Sequence, residues 1–529
     1  MPASVNQSAR VNHTVSVNET EAKYEAEPDV VLPALDQLPQ VAATARPPEQ
    51  LLVAEYFDTP DLRLLRAGIT LRRRTGGEDA GWHLKLPVGG RTREEIRLPL
   101  DSSGEGAPRG SRPRVPRELA DLVRARSRGA ALRPVASVST RRQAIRLLDP
   151  AGQVLAEVAD DRVSAHREDD PSSAASWREV EVELAAGDGD LLTAVDTVLR
   201  EHGLTVSARS AKLERVLSAQ LPPPAAKPRA TAAGPAYQVI TSYLAAQAAE
   251  LVALDPMVRR FRPDSVHQMR IVTRRLRSTL RTFGTVISDA GSEHVAAELR
   301  WLGDVLGRAR DSEVLAAHLH AQREQTDTAQ LLGPVAARID SHFARSGATA
   351  HAAVLKALNS RRYTALLADL DGLIADPPLG PDADAAAGPA LAGAVATAYR
   401  ATARRMRRAL AAPPGHDRDV AFHQARKAAK RARYAAEAVT AVAGTDASRL
   451  AGQLKNVQTV LGEHQDTVIA RQLERRLGVA AHLAGENAFS YGIFYERDAC
   501  QARLLQDLAA AIWCKAARPR YRRWLRPAA

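Results

Sequence analysis

The hydrophobic period changes once along this chain, and the change limits what each half can become. From about residue 15 to residue 217, Val, Ile, Leu and Thr alternate with charged residues, as in TLRRR from Thr70 and WREVEVEL from Trp177. A period of two predicts β-strands with one apolar and one polar face. Helical signals in this half are few: an amphipathic stretch over 190–201 ending near Gly203, and a second around 117–126. Residues 221–235 read LPPPAAKPRATAAGP, which has no period and reads as a linker. Beyond it the period becomes 3.6, in a composition rich in Ala, Leu, Arg and Glu. That predicts an all-α second half, hence a multi-domain α+β chain. A length of 529 residues also exceeds what one core serves.

The second half repeats itself. VHQMRIVTRRLRSTLRTF from Val266 aligns with FHQARKAAKRARYAAEAV from Phe422, an offset of 156. DVLGRARDSEVL then aligns with TVLGEHQDTVIA through Leu306/Leu461, Gly307/Gly462 and Asp311/Asp466. Two helical bundles, about 236–385 and 390–529, account for this.

Lys and Arg number 73 against 61 acids, a net charge of +12. That sign favours polyanions: nucleic acid, an anionic surface or phosphate chains. Aromatic residues are 4% and do not interleave with the basic stretches, which argues against nucleic acid. The two cysteines, Cys500 and Cys514, would stand roughly 21 Å apart on one helix, beyond disulfide reach. The N-terminus is polar without an apolar core, and no stretch of eighteen strongly apolar residues occurs. A cytoplasmic protein without membrane contact is expected, its first fourteen residues disordered.

The polar faces of the strands carry chemistry. Side chains two apart point the same way, so Glu19, Glu21 and Lys23 share a face. So do Arg72 with Arg74, His83 with Lys85, and Glu179 with Glu181 and Glu183. On a sheet wet on one side this is ordinary cross-strand pairing. If the sheet closes with these faces inward, carboxylates suited to Mg²⁺ or Mn²⁺ and cations suited to phosphate oxygens meet in one lumen.

The order Glu-x-Glu-x-Lys, YFDTPDLRLLRAGITLRRR, LKLP, TREE, EVADD, EVEVEL and SAKLER resembles the CYTH, or triphosphate tunnel metalloenzyme, superfamily across nearly the whole first half. The resemblance implies an eight-stranded antiparallel tunnel over 15–220 that hydrolyses triphosphate-containing substrates with a divalent cation. It implies Glu19, Glu21, Asp161, Glu181 and Glu183 as metal-side acids. Lys23, Arg72, Arg74, Lys85, Arg141, Lys212 and Arg215 would be substrate-side bases. Of Arg141 and Arg142, and of Asp160 and Asp161, one each faces inward, and Glu179 has no assigned duty. Lys23, Glu19 and Glu21 are the catalytic candidates. The base that activates water would be a positioned carboxylate or a lysine of depressed pKa such as Lys23.

In the second half His267, Arg270, Arg274 and Arg277 recur as His423, Arg426, Lys430 and Arg433. Each set covers an arc of roughly 80°, opposite an apolar arc. From 267 to 281 there are five Arg and no acid, and from 423 to 434 five bases and no acid. Solvated helices usually mix signs, so the stripes point to a bound polyanion. The histidines show no metal-ligand spacing, since His318 and His320 are too close on a helix to converge. This half resembles the CHAD domain, the conserved-histidine α-helical family, which implies two four-helix bundles and inorganic polyphosphate as ligand. Those eight residues would line the binding surface, with Arg308 and Arg310 replaced by Glu463 and Gln465 in the second copy.

The expectation is therefore a metal-dependent triphosphatase joined to a polyphosphate-binding domain, associated with polyphosphate granules. The alternatives are a granule protein that binds without turnover, or thiamine triphosphatase or class IV-type adenylate cyclase activity in the barrel.

Overall fold

The computed structural model describes residues 15–38, 40–100, 113–209, 211–221 and 231–526. The expectation for residues 1–14 and most of the expected linker lie outside them. The chain divides into two compact units at residues 225/226.

The first unit is a closed antiparallel barrel. Its strands are β1 (Val15–Ala26), β3 (Gln50–Asp58), β4 (Thr70–Thr75), β5 (Gly81–Gly89), β6 (Thr92–Leu98), β7 (Arg133–Leu148), β8 (Val154–Arg167) and β9 (Asp170–Leu184). They run in the order β1-β6-β5-β4-β3-β7-β8-β9, and a β1–β9 pairing closes the circle. Two short strands, β2 (Ala43–Ala45) and β10 (Thr205–Val206), add to β7 and β1.

The apolar faces of the strands point outward. Helix α3 (Gly189–Glu201) lays Leu191, Leu192, Val195 and Leu199 on Tyr24, Val158, Val180 and Val182. Its first turn is capped by Asp188, whose side chain accepts from the Leu191 amide at 3.0 Å. On another side α1 (Arg117–Leu122) and α2 (Arg124–Ser127) follow the expected helical stretch, and Leu119 and Val123 cover Leu71, Leu84 and Ile96. The core therefore lies outside the barrel wall and the charged faces lie inside.

One part of the interior is apolar. There α4 (Lys212–Leu217) packs Leu213 and Leu217 on Ala136, Val138, Val163 and Ala165, residues in register with Arg142 and Asp161. Burial of these side chains anchors α4 inside the barrel, and its first residue, Lys212, is placed among the charges.

The second unit is all helical. Its first copy holds α5 (Ala236–Arg259), α6 (Ser265–Thr282), α7 (Asp289–Glu324), α8 (Val335–Leu358) and α9 (Arg361–Ala375). Its second holds α10 (Ala387–Ala411), α11 (His416–Ala438), α12 (Thr440–Leu483) and α13 (Phe489–Ala516). Among the described residues α5 to α8 correspond to α10 to α13 at the repeat offset, the two four-helix sets expected, and α9 follows as an additional helix of the first copy. That helix starts at Ser360, whose hydroxyl accepts from the Tyr363 amide at 3.2 Å. The apolar arcs of α6 and α11 are buried, from Met269 to Phe283 and from Ala425 to Val439. No described helix is long and apolar enough to cross a membrane.

Candidate functional site

Closure of the barrel turns same-face residues of separate strands into one charged lining. β1 brings in Glu19, Glu21 and Lys23, and β9 sets Glu183 opposite Glu21 and Glu181 opposite Lys23. β6 sets Arg93 opposite Glu19 and Glu95 opposite Lys85. β4 supplies Arg72 and Arg74, and β7 supplies Arg142. These residues line a cavity of about 460 Å³ together with Tyr56, Arg97 and Lys212.

The two ambiguous pairs resolve by register. Arg142 points inward and binds Asp161 through two bonds of 2.8 and 2.7 Å, and Glu181 at 2.8 Å. Arg141 is exposed on the outer face, so its expected substrate contact does not arise. Asp161 is fully buried, whereas Asp160 pairs with Arg178 at 2.8 Å. Arg215 also departs from expectation. It pairs with Glu25 and stacks 4.9 Å from the Trp177 ring centroid, outside the cavity lining.

Lys212 holds three carboxylates at once: Asp161 at 2.9 Å, Glu179 at 2.7 Å and Glu181 at 2.8 Å. These acids are close enough to share an ion, their ligand atoms lying within 4.8 Å of one another. The ammonium of Lys212 already bridges them, so Asp161 acts here as an anchor for Lys212 and Arg142. Glu179, without an expected duty, also accepts from the Trp177 indole at 2.6 Å.

The cavity-facing acids differ. Lys85 reaches Glu19 at 2.5 Å and Arg97 reaches it at 2.9 Å. Burial nevertheless pushes Glu19 up to about 7 against the Lys85 charge, with Glu95 adding to the rise. Burial likewise raises Glu183, opposed by Lys85 and reinforced by Glu181, Glu95 and Glu21. Carboxylates held above their usual range in a crowded lumen are what a divalent cation would relieve. Glu19 and Glu183 fit that role, and β1 and β9 set Glu21 opposite Glu183, with Glu181 beside them.

Lys23 does not fit a base of depressed pKa. Burial alone would lower it, but Glu181 at 2.6 Å and Glu21 at 3.5 Å outweigh burial and raise it. It stays an ammonium. On the facing wall, burial and then the Arg72 and Arg142 charges disfavour the charged form of Arg74, although it pairs with Asp79. Crowded guanidiniums of this kind gain from a polyanion. Arg93, Glu95 and Arg97 of β6 join this lining without having been expected there. The Arg-x-Glu-x-Arg alternation of β6 was their signal, and it needed the β1–β6 pairing to matter.

In the helical unit, α6, α7 and α11 enclose a second cavity of about 530 Å³. Arg270, Arg274 and Arg277 line it with His423, Arg426 and Lys430, joined by Arg281, Arg300, Lys427 and Arg431. Asp304 is the one acid in this lining. Two expected residues are elsewhere. Arg433 is held by Glu437 at 2.6 Å and Gln458 at 3.1 Å, because α11 continues past the acid-free stretch to Glu437. His267 lies outside this lining, in the field of Arg310, Arg270 and Arg274.

The Leu-Gly pairs of the repeat have a packing reason. A Cβ on Gly307 would meet the Arg270 guanidinium at 3.3 Å, and one on Gly462 the Arg426 guanidinium at 3.2 Å. Each glycine lets an arginine lie across the neighbouring helix. Burial, then Arg274, Arg426 and Arg270, push Lys430 down to about 5. Without an anion it is therefore neutral at pH 7.

The CYTH domain family matches residues 7–215 and the CHAD domain family residues 242–475. A Mycobacterium tuberculosis protein (strain H37Rv), Uncharacterized protein Rv2226, is 36% identical over 508 residues, spanning 93% of this chain and 95% of its own. Among solved structures, PptA from Streptomyces chartreusis is 22% identical with a TM-score of 0.45, covering 53% of this chain and 99% of its own. The CHAD domain from Ricinus communis is 23% identical, also with a TM-score of 0.45, covering 56% and 96%. A barrel with a charged lumen, a duplicated helical unit and a relative matched over nearly its whole length place this chain in the family that joins a CYTH domain to a CHAD domain.

Proposed function

We propose that the barrel hydrolyses inorganic triphosphate or short-chain polyphosphate with Mg²⁺ or Mn²⁺, and that the helical unit binds inorganic polyphosphate. The observation that carries this reading is the meeting of two opposed sets in one cavity. Glu19, Glu21 and Glu183 would hold the metal. Arg72, Arg74 and Arg142 face it from β4 and β7, where phosphate oxygens would lie. The metal would neutralise phosphate charge and polarise the reacting phosphoryl group. Lys23, kept protonated by Glu181 and Glu21, donates to a phosphate oxygen and does not accept a proton from water. The proton acceptor is then a carboxylate of this wall rather than Lys23. The basic cavity of the helical unit offers cations without paired nucleophile and base, which supports binding alone. Tethering it to the barrel would raise local substrate concentration.

The test is phosphate release from triphosphate with Mg²⁺ or Mn²⁺, for wild type and Glu19→Ala. Release by wild type and its loss in the variant are expected. No release by wild type from triphosphate, polyphosphate or nucleoside triphosphates would overturn the hydrolase reading. A cyclic nucleotide formed from ATP in the same assay would replace it with cyclase chemistry.

A further inference from the structure

Where α7, α12 and α13 meet, far along the chain from the barrel, three metal-ligating side chains converge. They are His318, Glu474 and Asp498, with one ligand atom from each lying within 4.8 Å of the others. Two of the three are withdrawn from water: Glu474 is 0% and Asp498 1% exposed. The surroundings are apolar, because Leu319, Leu473, Leu477 and Phe494 belong to the cluster that packs these helices together.

Glu474 is the anomaly. Both of its carboxylate oxygens are buried, no N–H or hydroxyl group donates to either, and the polar group it meets is the Asp498 carboxyl. A buried carboxylate without donors costs several kcal/mol, and a second carboxylate beside it adds repulsion. Nearby cations do not resolve this. Arg471 is engaged by Asp419 at 3.1 Å. Arg497 donates to the Gln322 side chain at 2.8 Å and to Thr326 at 3.1 Å.

The other two ligands are already oriented. His318 Nε2 stands 2.7 Å from Asp498 Oδ2, and Gln322 donates to Asp498 Oδ1 at 2.8 Å. That outer hydrogen bond fixes the carboxylate as supporting residues do around metal centres. Metal bonds of about 2.0–2.2 Å to nitrogen and oxygen need the His318–Asp498 gap to widen by only a few tenths of an ångström. The His318 side chain is 27% exposed, which leaves an entry path.

We propose that His318, Glu474 and Asp498 form a binding site for a divalent first-row transition ion, which ties α7 of the first repeat to α12 and α13 of the second. One imidazole nitrogen with two carboxylate oxygens suits Zn²⁺, Co²⁺ or Mn²⁺ better than Mg²⁺, which prefers oxygen and water. The ion supplies the charge and the ligand bonds that Glu474 lacks. The site is independent of the barrel, and its role is structural.

The test uses the full chain, stripped with chelator and titrated with Co²⁺ and with Zn²⁺. Because the barrel also offers carboxylates, wild type is compared with Glu19→Gln, Glu474→Gln and His318→Gln. Expected is one equivalent of Co²⁺, beyond any held in the barrel, giving visible d–d bands that are retained in Glu19→Gln and weakened at least tenfold in the other two. Zn²⁺ should raise the melting temperature of wild type and leave that of Glu474→Gln unchanged. Glu474→Gln keeps the size and shape of the side chain and should fold, which circular dichroism checks, and the half-buried His318→Gln gives a second reading. Binding that persists in both variants would overturn the proposal. So would wild type that binds Co²⁺ only where Glu19→Gln abolishes it, since the two acids would then be a proton-sharing pair and nothing more.

Discussion

Replacing Lys212 with methionine tests the electrostatic core of the barrel. The change keeps the aliphatic stem and removes the one ammonium that contacts Asp161, Glu179 and Glu181 together. Lys212 is buried, and Asp161 is fully so. Breaking a buried pair by removing one partner costs about 3–5 kcal/mol. That is a large share of a typical domain stability of roughly 5–15 kcal/mol. At about 1.36 kcal/mol per tenfold, the barrel should open some hundred- to several-thousand-fold more often. Hydrogen exchange of peptides from β8 and β9 at pH 7, read by mass spectrometry, reports this without interference from the helical unit.

The pH dependence of that loss has a definite sign. In wild type, burial raises Glu181, but Lys212, Lys23 and Arg142 outweigh it and hold the carboxyl well below its ordinary value. Its contribution is present above the unfolded pKa near 4.5 and declines as pH falls through the folded value. Without Lys212, Glu181 loses the largest charge that holds it down and titrates higher, and the folded variant binds a proton the unfolded chain does not. The gap between variant and wild type should therefore shrink as pH falls from 7 toward 4.5. A gap under about 1 kcal/mol at pH 7, or one that does not narrow on acidification, would refute the reasoning.

Three further outcomes follow from the geometry. Arg142→Ala should reduce triphosphate turnover by at least a hundredfold, while Arg141→Ala, on the outer face, should stay within about twofold, both read as phosphate release. Binding of polyphosphate at pH 7 should take up about one proton, because an anion restores the charge of Lys430. Calorimetry in buffers of different ionisation enthalpy measures that uptake, and Lys430→Met should abolish it. Gly462→Ala should weaken polyphosphate binding less than Arg426→Ala does, since a Cβ at 3.2 Å displaces the guanidinium without removing it; titration at fixed salt with circular dichroism as a folding control checks both.

Much of the site was legible from local pattern. The spacing of Glu19, Glu21 and Lys23 fixed their common face, and the repeat fixed the matching of Arg270 with Arg426. Pairs that local pattern left open were decided by neighbours. Arg142 faces inward because β8 sets Asp161 opposite it, and Asp160 faces outward to meet Arg178. Arg433 was misplaced because its partner, Glu437, lies one helical turn beyond the stretch that looked free of acids. The grouping of His318 with Glu474 and Asp498 has no sequence spacing at all, because its members come from three helices.

The sequence by itself determined the periods, the shared faces, the break between halves and the duplication, since each depends on neighbours within a few residues or on direct self-similarity. Only the tertiary structure decided which face of the sheet became concave. Alternation says that Leu84 and Lys85 point opposite ways, but not which way is in. Closure through β1 and β9, with α3 and α1 covering the outer apolar face, turned the charged face into a lumen. Burial of the apolar face against those helices sets that curvature, and it forces acids and bases from distant strands to share one cavity.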